Sequence, residues 1–337
     1  MTFIALVPPI YTNVKQYGAL GDGKTVTDGA ITTGTPTLTS ASAAFTLADV
    51  GKQITVNGAG ASSANLNTTI SAYVNATTVT LAANAGTTVS GATTFYATDD
   101  TTTIAAANTA VAANGGTLFF PAGIYMTGTQ TLQAKVVYLG AGKNATIIKL
   151  KNGANADLFS AQTSLIDLTG ASSPGAGTLY SFAIQNMTLD GNKANQTAGP
   201  CYPLRFYGYD YIMENLEVKN GFSGNILCDW NGGNTFATDS MESVWINVKT
   251  HDSNGIGIEY GGPHDSQFVD IIPFKEASHC LHLCPKAAGA MFKNLHAWYP
   301  GATYQAANRP VTVYDWDSFN RPDQSGLGTS SSGKTYT

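Results

Sequence analysis

The 337-residue sequence predicts an all-β chain: a single-stranded, right-handed parallel β-helix (a solenoid) with an N-terminal capping helix and a small all-β insertion domain. Three observations predict it. An Asn or Asp recurs between bulky apolar residues at Asn186, Asn215, Asn247, Asp270 and Asn294, with separations of 29, 32, 23 and 24 residues. Pairs of apolar residues two apart recur in the intervals. Charged residues make up only 12 % of the chain, while Gly, Thr, Ala, Ser and Asn are abundant.

Periods of this length mean stacked units that share one core. In a parallel solenoid each coil adds one rung, and equivalent side chains stack at about 4.8 Å. Asn tolerates the left-handed turn between strands and can stack as a hydrogen-bonded ladder. The second row consists of Leu204/Phe206, Ile226/Cys228, Ile256/Ile258 and Leu281/Leu283. Alternation turns each pair inward. Aligning these four pairs puts Arg205, Leu227, Gly257 and His282 in one outward column. Tyr207, Asp229, Glu259 and Cys284 form the next. Trp245 takes an inward anchor position and belongs to the core. Leucine-rich repeats are disfavoured, because the coils vary in length and lack a leucine consensus.

Along the chain, residues 1–29 carry Lys15-Gln-Tyr-Gly-Ala-Leu-Gly-Asp-Gly23. Residues 97–126 open with Thr98-Asp-Asp-Thr101 and continue to Gly115-Gly116 and Phe120-Pro-Ala-Gly-Ile-Tyr125. Asp100 or Thr101 can cap a helix over about 102–114. Ile104, Ala107 and Val111 share one face of it. Gly115-Gly116 ends it by allowing positive φ. Such a helix would cover the open end of the solenoid, where strand edges are otherwise unpaired.

Joined together, these two segments resemble the N-terminal signature of the pectate-lyase-3-like β-helix family. About forty residues carry the resemblance directly, and the coil pattern extends it to about residue 300. The resemblance implies the β-helix fold and a polysaccharide ligand. Many members are phage tailspikes and tail-fibre proteins, others are polysaccharide hydrolases and lyases, and such β-helices usually form homotrimers.

Residues 30–96 interrupt the signature. Lys52-Gln-Ile-Thr-Val56 and Thr77-Thr-Val-Thr-Leu81 read as strands, and Asn57-Gly58 reads as a turn. This stretch is expected to be a small all-β domain for packing or oligomer contact. The β-helix is expected over 97–305. Residues 306–337 form a tail that is similar to the opening strand of laminin-G-like jelly rolls, or else a docking segment.

Net charge is −5, and nothing resembles a phosphate-binding surface, so nucleic acid is not an expected partner. No stretch approaches the roughly 20 apolar residues of a spanning helix, so membrane insertion is not expected. The N-terminus lacks the basic region and apolar length of a signal peptide. The expectation is synthesis in a host cytoplasm and release as part of a virion, with other tail proteins as neighbours.

Pectinase motifs are absent, so the resemblance transfers no catalytic residues. The register supplies candidates of its own. Asp229 and Glu259 are expected on adjacent coils, where two close carboxylates can divide into acid and base. Carboxyls about 5 Å apart suit retaining glycoside hydrolysis. Arg205 and His282 flank them. Gly257 is expected to leave a depression for a sugar ring, with Tyr207, Trp230 and Tyr260 as stacking surfaces. The run Cys280-Leu-His282-Leu-Cys284 spaces its alternate side chains nearly 7 Å apart, too far to share one ion, so no metal is expected. No cofactor is expected. The leading expectation is a phage tailspike or receptor-binding protein that binds host surface polysaccharide, with depolymerase activity left open. A structural tail or baseplate component and a free polysaccharide lyase or hydrolase are the alternatives.

Overall fold

The computed structural model describes residues 11–161, 179–206, 208–228, 241–261, 265–283 and 290–297. Tyr11–Asn13 (β1) opens the described chain. Six strands follow: Lys24–Ile31 (β2), Thr37–Thr39 (β3), Gln53–Val56 (β4), Leu66–Asn75 (β5), Thr78–Leu81 (β6) and Val89–Ala97 (β7). The helix Thr101–Ala112 (α1) comes next. Then come Gly116–Phe120 (β8), Gly123–Thr127 (β9), Gln130–Leu132 (β10), Val136–Gly140 (β11), Thr146–Leu150 (β12) and Phe159–Ala161 (β13). The later coils are Tyr180–Asp190 (β14), Leu204–Arg205 (β15), Tyr209–Lys219 (β16), Gly224–Cys228 (β17) and Met241–His251 (β18). They continue as Ile256–Tyr260 (β19), Gln267–Phe274 (β20), Leu281–Leu283 (β21) and Met291–Leu295 (β22).

From β14 onward successive strands alternate between two parallel sheets. The described strands give one sheet of ten, ending β14-β16-β18-β20-β22, and one of six, β10-β13-β15-β17-β19-β21. A chain that returns to the same two sheets coil after coil is a parallel β-helix. The long strands of the first sheet bend where the ladder residues sit. Asn186, Asn215, Asn247, Asp270 and Asn294 all adopt left-handed φ between 53° and 59°. Their amides connect: Asn215 Nδ2 donates to Asn186 Oδ1 at 2.7 Å, and Asn247 Nδ2 to Asn215 Oδ1 at 3.0 Å. Pairing such as Tyr211↔Ser243 and Trp245↔Phe268 reproduces the 32- and 23-residue spacings.

Inward residues fill one continuous core. Trp245 is fully buried, 5.1 Å from Phe268 and 6.2 Å from Tyr211 by ring centroids. Its indole N–H donates to Ser243 Oγ at 3.1 Å, so the large ring enters the core without an unpaired donor.

Strands β2 to β7 close into an antiparallel barrel with a core of its own, built from Leu38, Phe45, Ile54, Val56, Val79 and Tyr96. The barrel leaves and rejoins the solenoid at one place. Asp22 bridges to Ile124 and Asp99 to Met126, both on β9. Thr98 donates to Asp22 from its backbone N–H at 2.9 Å and from its hydroxyl at 2.8 Å. Asp100 then accepts the N–H groups of Leu20 and Gly21 at 2.8 and 3.0 Å. The two halves of the signature are therefore adjacent in space. Gly21 has φ +58°, and a Cβ there would lie 2.5 Å from the Tyr125 ring, so the position requires glycine.

One expected contact differs. Asp100 occupies the N-cap of α1, but its side chain makes no capping bond, because both oxygens serve Leu20 and Gly21. Asp99 Oδ1 instead accepts the Thr101 N–H at 3.0 Å. Ile104, Ala107 and Val111 enter the main core, as their spacing predicts. Gly115 and Gly116, at φ +71° and +132°, follow the helix. Among the described residues no helix is long and apolar enough to cross a membrane. The expected tail at 306–337 lies outside the described residues.

Candidate functional site

The six-stranded sheet carries Arg205, Gly257, Glu259, Tyr260 and His282 of the residues singled out from the sequence, in a different register. Leu204 pairs with Ile226, Ile226 with Ile258, and Ile258 with Leu281. The outward column is therefore Arg205, Leu227, Glu259, His282. Glu259 stands two residues from its expected level. Its lateral neighbours are Leu227 and His282, so the expected Asp229/Glu259 pairing is not made. Asp229, Trp230 and Tyr207 lie outside the described residues.

Two further expectations are corrected. Gly257 leaves no surface depression. A Cβ there would lie 2.7 Å from the carboxylate of Glu276 and 2.5 Å from the Cys280 carbonyl, so its missing side chain makes room for a buried acid. Tyr260 points inward rather than out. It is fully buried beside Phe268, and its hydroxyl donates to Ser266.

What remains is an arrangement on the outer face of β15, β17, β19 and β21. His282 Nδ1 lies 3.3 Å from Glu259 Oε1. Arg205 reaches Asp157 Oδ2 at 3.6 Å. Asp157 is buried, and burial pushes its carboxyl above the usual range despite the Tyr202 N–H and the Arg205 charge. Burial also raises the Tyr202 phenol, and the negative charge of Glu259 adds to this. A carboxylate hydrogen-bonded to an imidazole can move a proton, and the guanidinium nearby can hold an anionic or hydroxylated group. Among the described residues no three His, Cys, Asp or Glu side chains converge on a metal-binding geometry.

A second charged cluster was missed in the sequence. It lies on the ten-stranded sheet, two and four residues beyond the ladder positions Asn186, Asn215 and Asn247. Thr188, Glu217 and Lys249 form one outward column; Lys149, Asp190, Lys219 and His251 form the next. Lys149 binds Asp190 at 2.8 Å, and Lys219 binds Glu217 at 3.3 Å. His251 is held between two acids, with Nε2 3.1 Å from Glu217 and Nδ1 2.6 Å from Asp252. Phe274 stacks on the imidazole at 4.8 Å. Burial opposes the charged imidazole, but the bonds to Glu217 and Asp252 outweigh it and raise the His251 pKa. The same bond to His251 draws Glu217 down to about 2, against the effect of burial. With both ring nitrogens engaged, His251 is an ion-pair centre rather than an available base. The offset of plus two and plus four from Asn186, Asn215 and Asn247 was the signal for this cluster.

No family model matches the chain. Over 126 residues it is 36 % identical to the mannuronan C5-epimerase AlgE5 of Azotobacter vinelandii, an alignment that takes in 32 % of this chain. The chain covers only 11 % of that protein. Among solved structures, the A-module of the mannuronan C-5 epimerase AlgE4 of Azotobacter vinelandii has a TM-score of 0.41 at 18 % identity, over 81 % of this chain and 59 % of that one. The pre-mature gene product 12 of bacteriophage phi29 has a TM-score of 0.43 at 16 % identity, over 55 % of this chain and 26 % of that one.

Proposed function

We propose that the protein is a phage tail component, a tailspike or receptor-binding protein, that holds host surface polysaccharide against the outer face of its six-stranded sheet. The observation that carries this reading is the outward column of Arg205, Leu227, Glu259 and His282. It presents a cation, an apolar step, an acid and an imidazole along one rigid face. A sugar ring has an apolar C–H face and a polar rim, and Leu227 between two charged residues suits both. The signature resemblance supports the phage setting and a place in the virion. The relative aligned over 126 residues is named for its action on mannuronan, which supports a polysaccharide as ligand. In this reading α1 closes the N-terminal end of the solenoid. The homotrimer that the resemblance implies has outward apolar side chains available on the ten-stranded sheet at Ile212, Ile246 and Met291.

One distance favours a second reading, depolymerisation. Glu259 and His282 are close enough to share a proton and to serve as acid and base toward a glycosidic bond. One experiment separates these readings. The protein is titrated calorimetrically with surface polysaccharide from a susceptible host, and new reducing ends are counted in the same samples. Binding is expected to weaken about thirtyfold in Arg205→Ala combined with Glu259→Gln, from two polar contacts of about 1 kcal/mol each. Shortening that Glu259→Gln and His282→Ala abolish would add the depolymerase activity. A folded protein that binds no host glycan would discard the proposal in favour of a structural tail component.

A further inference from the structure

A groove of about 340 Å³ runs between the barrel and the outer face of the ten-stranded sheet, away from the site proposed above. Its size falls within the roughly 300–1,000 Å³ of small-ligand pockets. The walls come from different parts of the chain and are pinned together. Asn65 and Asn67 on the barrel donate to Asn195 Oδ1 at 2.9 and 3.1 Å. Asn152 donates to Thr55 Oγ1 at 2.8 Å. These bonds fix the opening before any ligand arrives, which lowers the ordering cost of binding.

The lining has two characters. Ile124, Ile147 and Phe95 give an apolar surface, with the Lys149 ammonium 5.4 Å from the Phe95 ring centre. Amides and ammonium groups surround it. Lys149 is compensated by Asp190 and Lys219 by Glu217. Lys193 stands at the groove with no ion pair among the described residues. The groove therefore carries unspent positive charge beside an apolar patch and a ring of amides.

We infer that this groove is a second glycan subsite, created by the barrel, that takes a sugar unit bearing an anionic group. The sugar's C–H face lies on Phe95 and the two isoleucines. Its hydroxyls meet Asn57 and Asn220, and its anionic group meets Lys193 and Lys219. The site stands on the opposite sheet from Glu259 and His282, so the two can be tested apart.

The test is calorimetric titration of the full chain with three tetrasaccharides: one of uronic acid, one sulfated and one neutral. The sulfated and uronic arms identify which anion is read. Two variants address the groove. Lys193→Ala removes the uncompensated charge, and Ala194→Trp fills the opening from an exposed position that carries no core contact. An anionic tetramer is expected to bind at least tenfold more tightly than the neutral one, with affinity falling as salt rises. Lys193→Ala is expected to weaken it about fivefold and Ala194→Trp at least tenfold. The inference is overturned if neither anionic tetramer binds at millimolar concentration. It is equally overturned if Ala194→Trp leaves binding intact, or if the neutral tetramer binds as well as the charged ones.

Discussion

Asn225 is fully buried with both ends of its amide committed. Its Nδ2 donates to the two Glu276 oxygens at 2.9 and 3.1 Å and to the His251 carbonyl at 3.0 Å, and its Oδ1 accepts the Gly221 N–H. Burial pushes the Glu276 carboxyl above the usual range, against hydrogen bonds from Ser253 and Asn225. Asn225→Ala would strand a buried acid, and is expected to lower unfolding free energy by about 1–3 kcal/mol at pH 7. Denaturant titration measures this, and the loss should shrink on acidification, because a neutral carboxyl needs the amide less. The Glu217–His251 pair gives a second pH signature. The contribution of His251 is whole below its ordinary 6.5 and disappears as pH climbs through the raised folded value. The contribution of Glu217 is whole above 4.5 and disappears as pH falls toward 2. Their joint effect is therefore complete between 4.5 and 6.5. Thermal melts across pH should show a stability plateau there that Glu217→Gln removes.

Strands β14, β16, β18, β20 and β22 each bend at a ladder residue, which gives that element two separable sources of stability. Asn215 supplies a left-handed backbone at φ 53° and two ladder bonds. Asn215→Gly keeps the first and loses the second. Asn215→Ala loses both, and should be the less stable of the two by about 1 kcal/mol in chemical denaturation. The opposite order would remove the left-handed backbone from the account. The same residues explain what could be read in advance. Left-handed φ selects Asn or Asp at all five ladder positions, so the ladder spacings in the sequence equal the strand register. The six-stranded sheet was less legible. Alternation has a period of two, so sliding Ile256/Ile258 against Ile226/Cys228 by two residues keeps every apolar side chain inside. Hydrophobic pattern alone cannot detect such a slip, and it moved Glu259 away from Asp229. The ladder did hold the correction, since Asn215 to Asn247 is 32 residues, and so is Ile226 to its true partner Ile258. Gly257 escaped for another reason: the acid that occupies its space, Glu276, belongs to the next coil.

At the scale of the molecule, the barrel and the solenoid have separate cores, and the chain enters and leaves the barrel beside β9. Replacing residues 24–97 with a short loop should therefore leave the solenoid folded. Circular dichroism of the shortened protein should keep its β signature and a cooperative melt, and unfolding of the whole chain would show that the barrel is part of the solenoid's stability. That deletion would also remove the groove wall while sparing Arg205, Glu259 and His282. The placement of host glycan on the six-stranded sheet is tested most directly by carbodiimide footprinting of the full chain, read by mass spectrometry with and without saturating host polysaccharide. The account predicts that glycan protects Glu259 from modification while the exposed Asp210, on the other sheet, reacts as before. Equal modification of Glu259 in both samples, with binding confirmed, would contradict it.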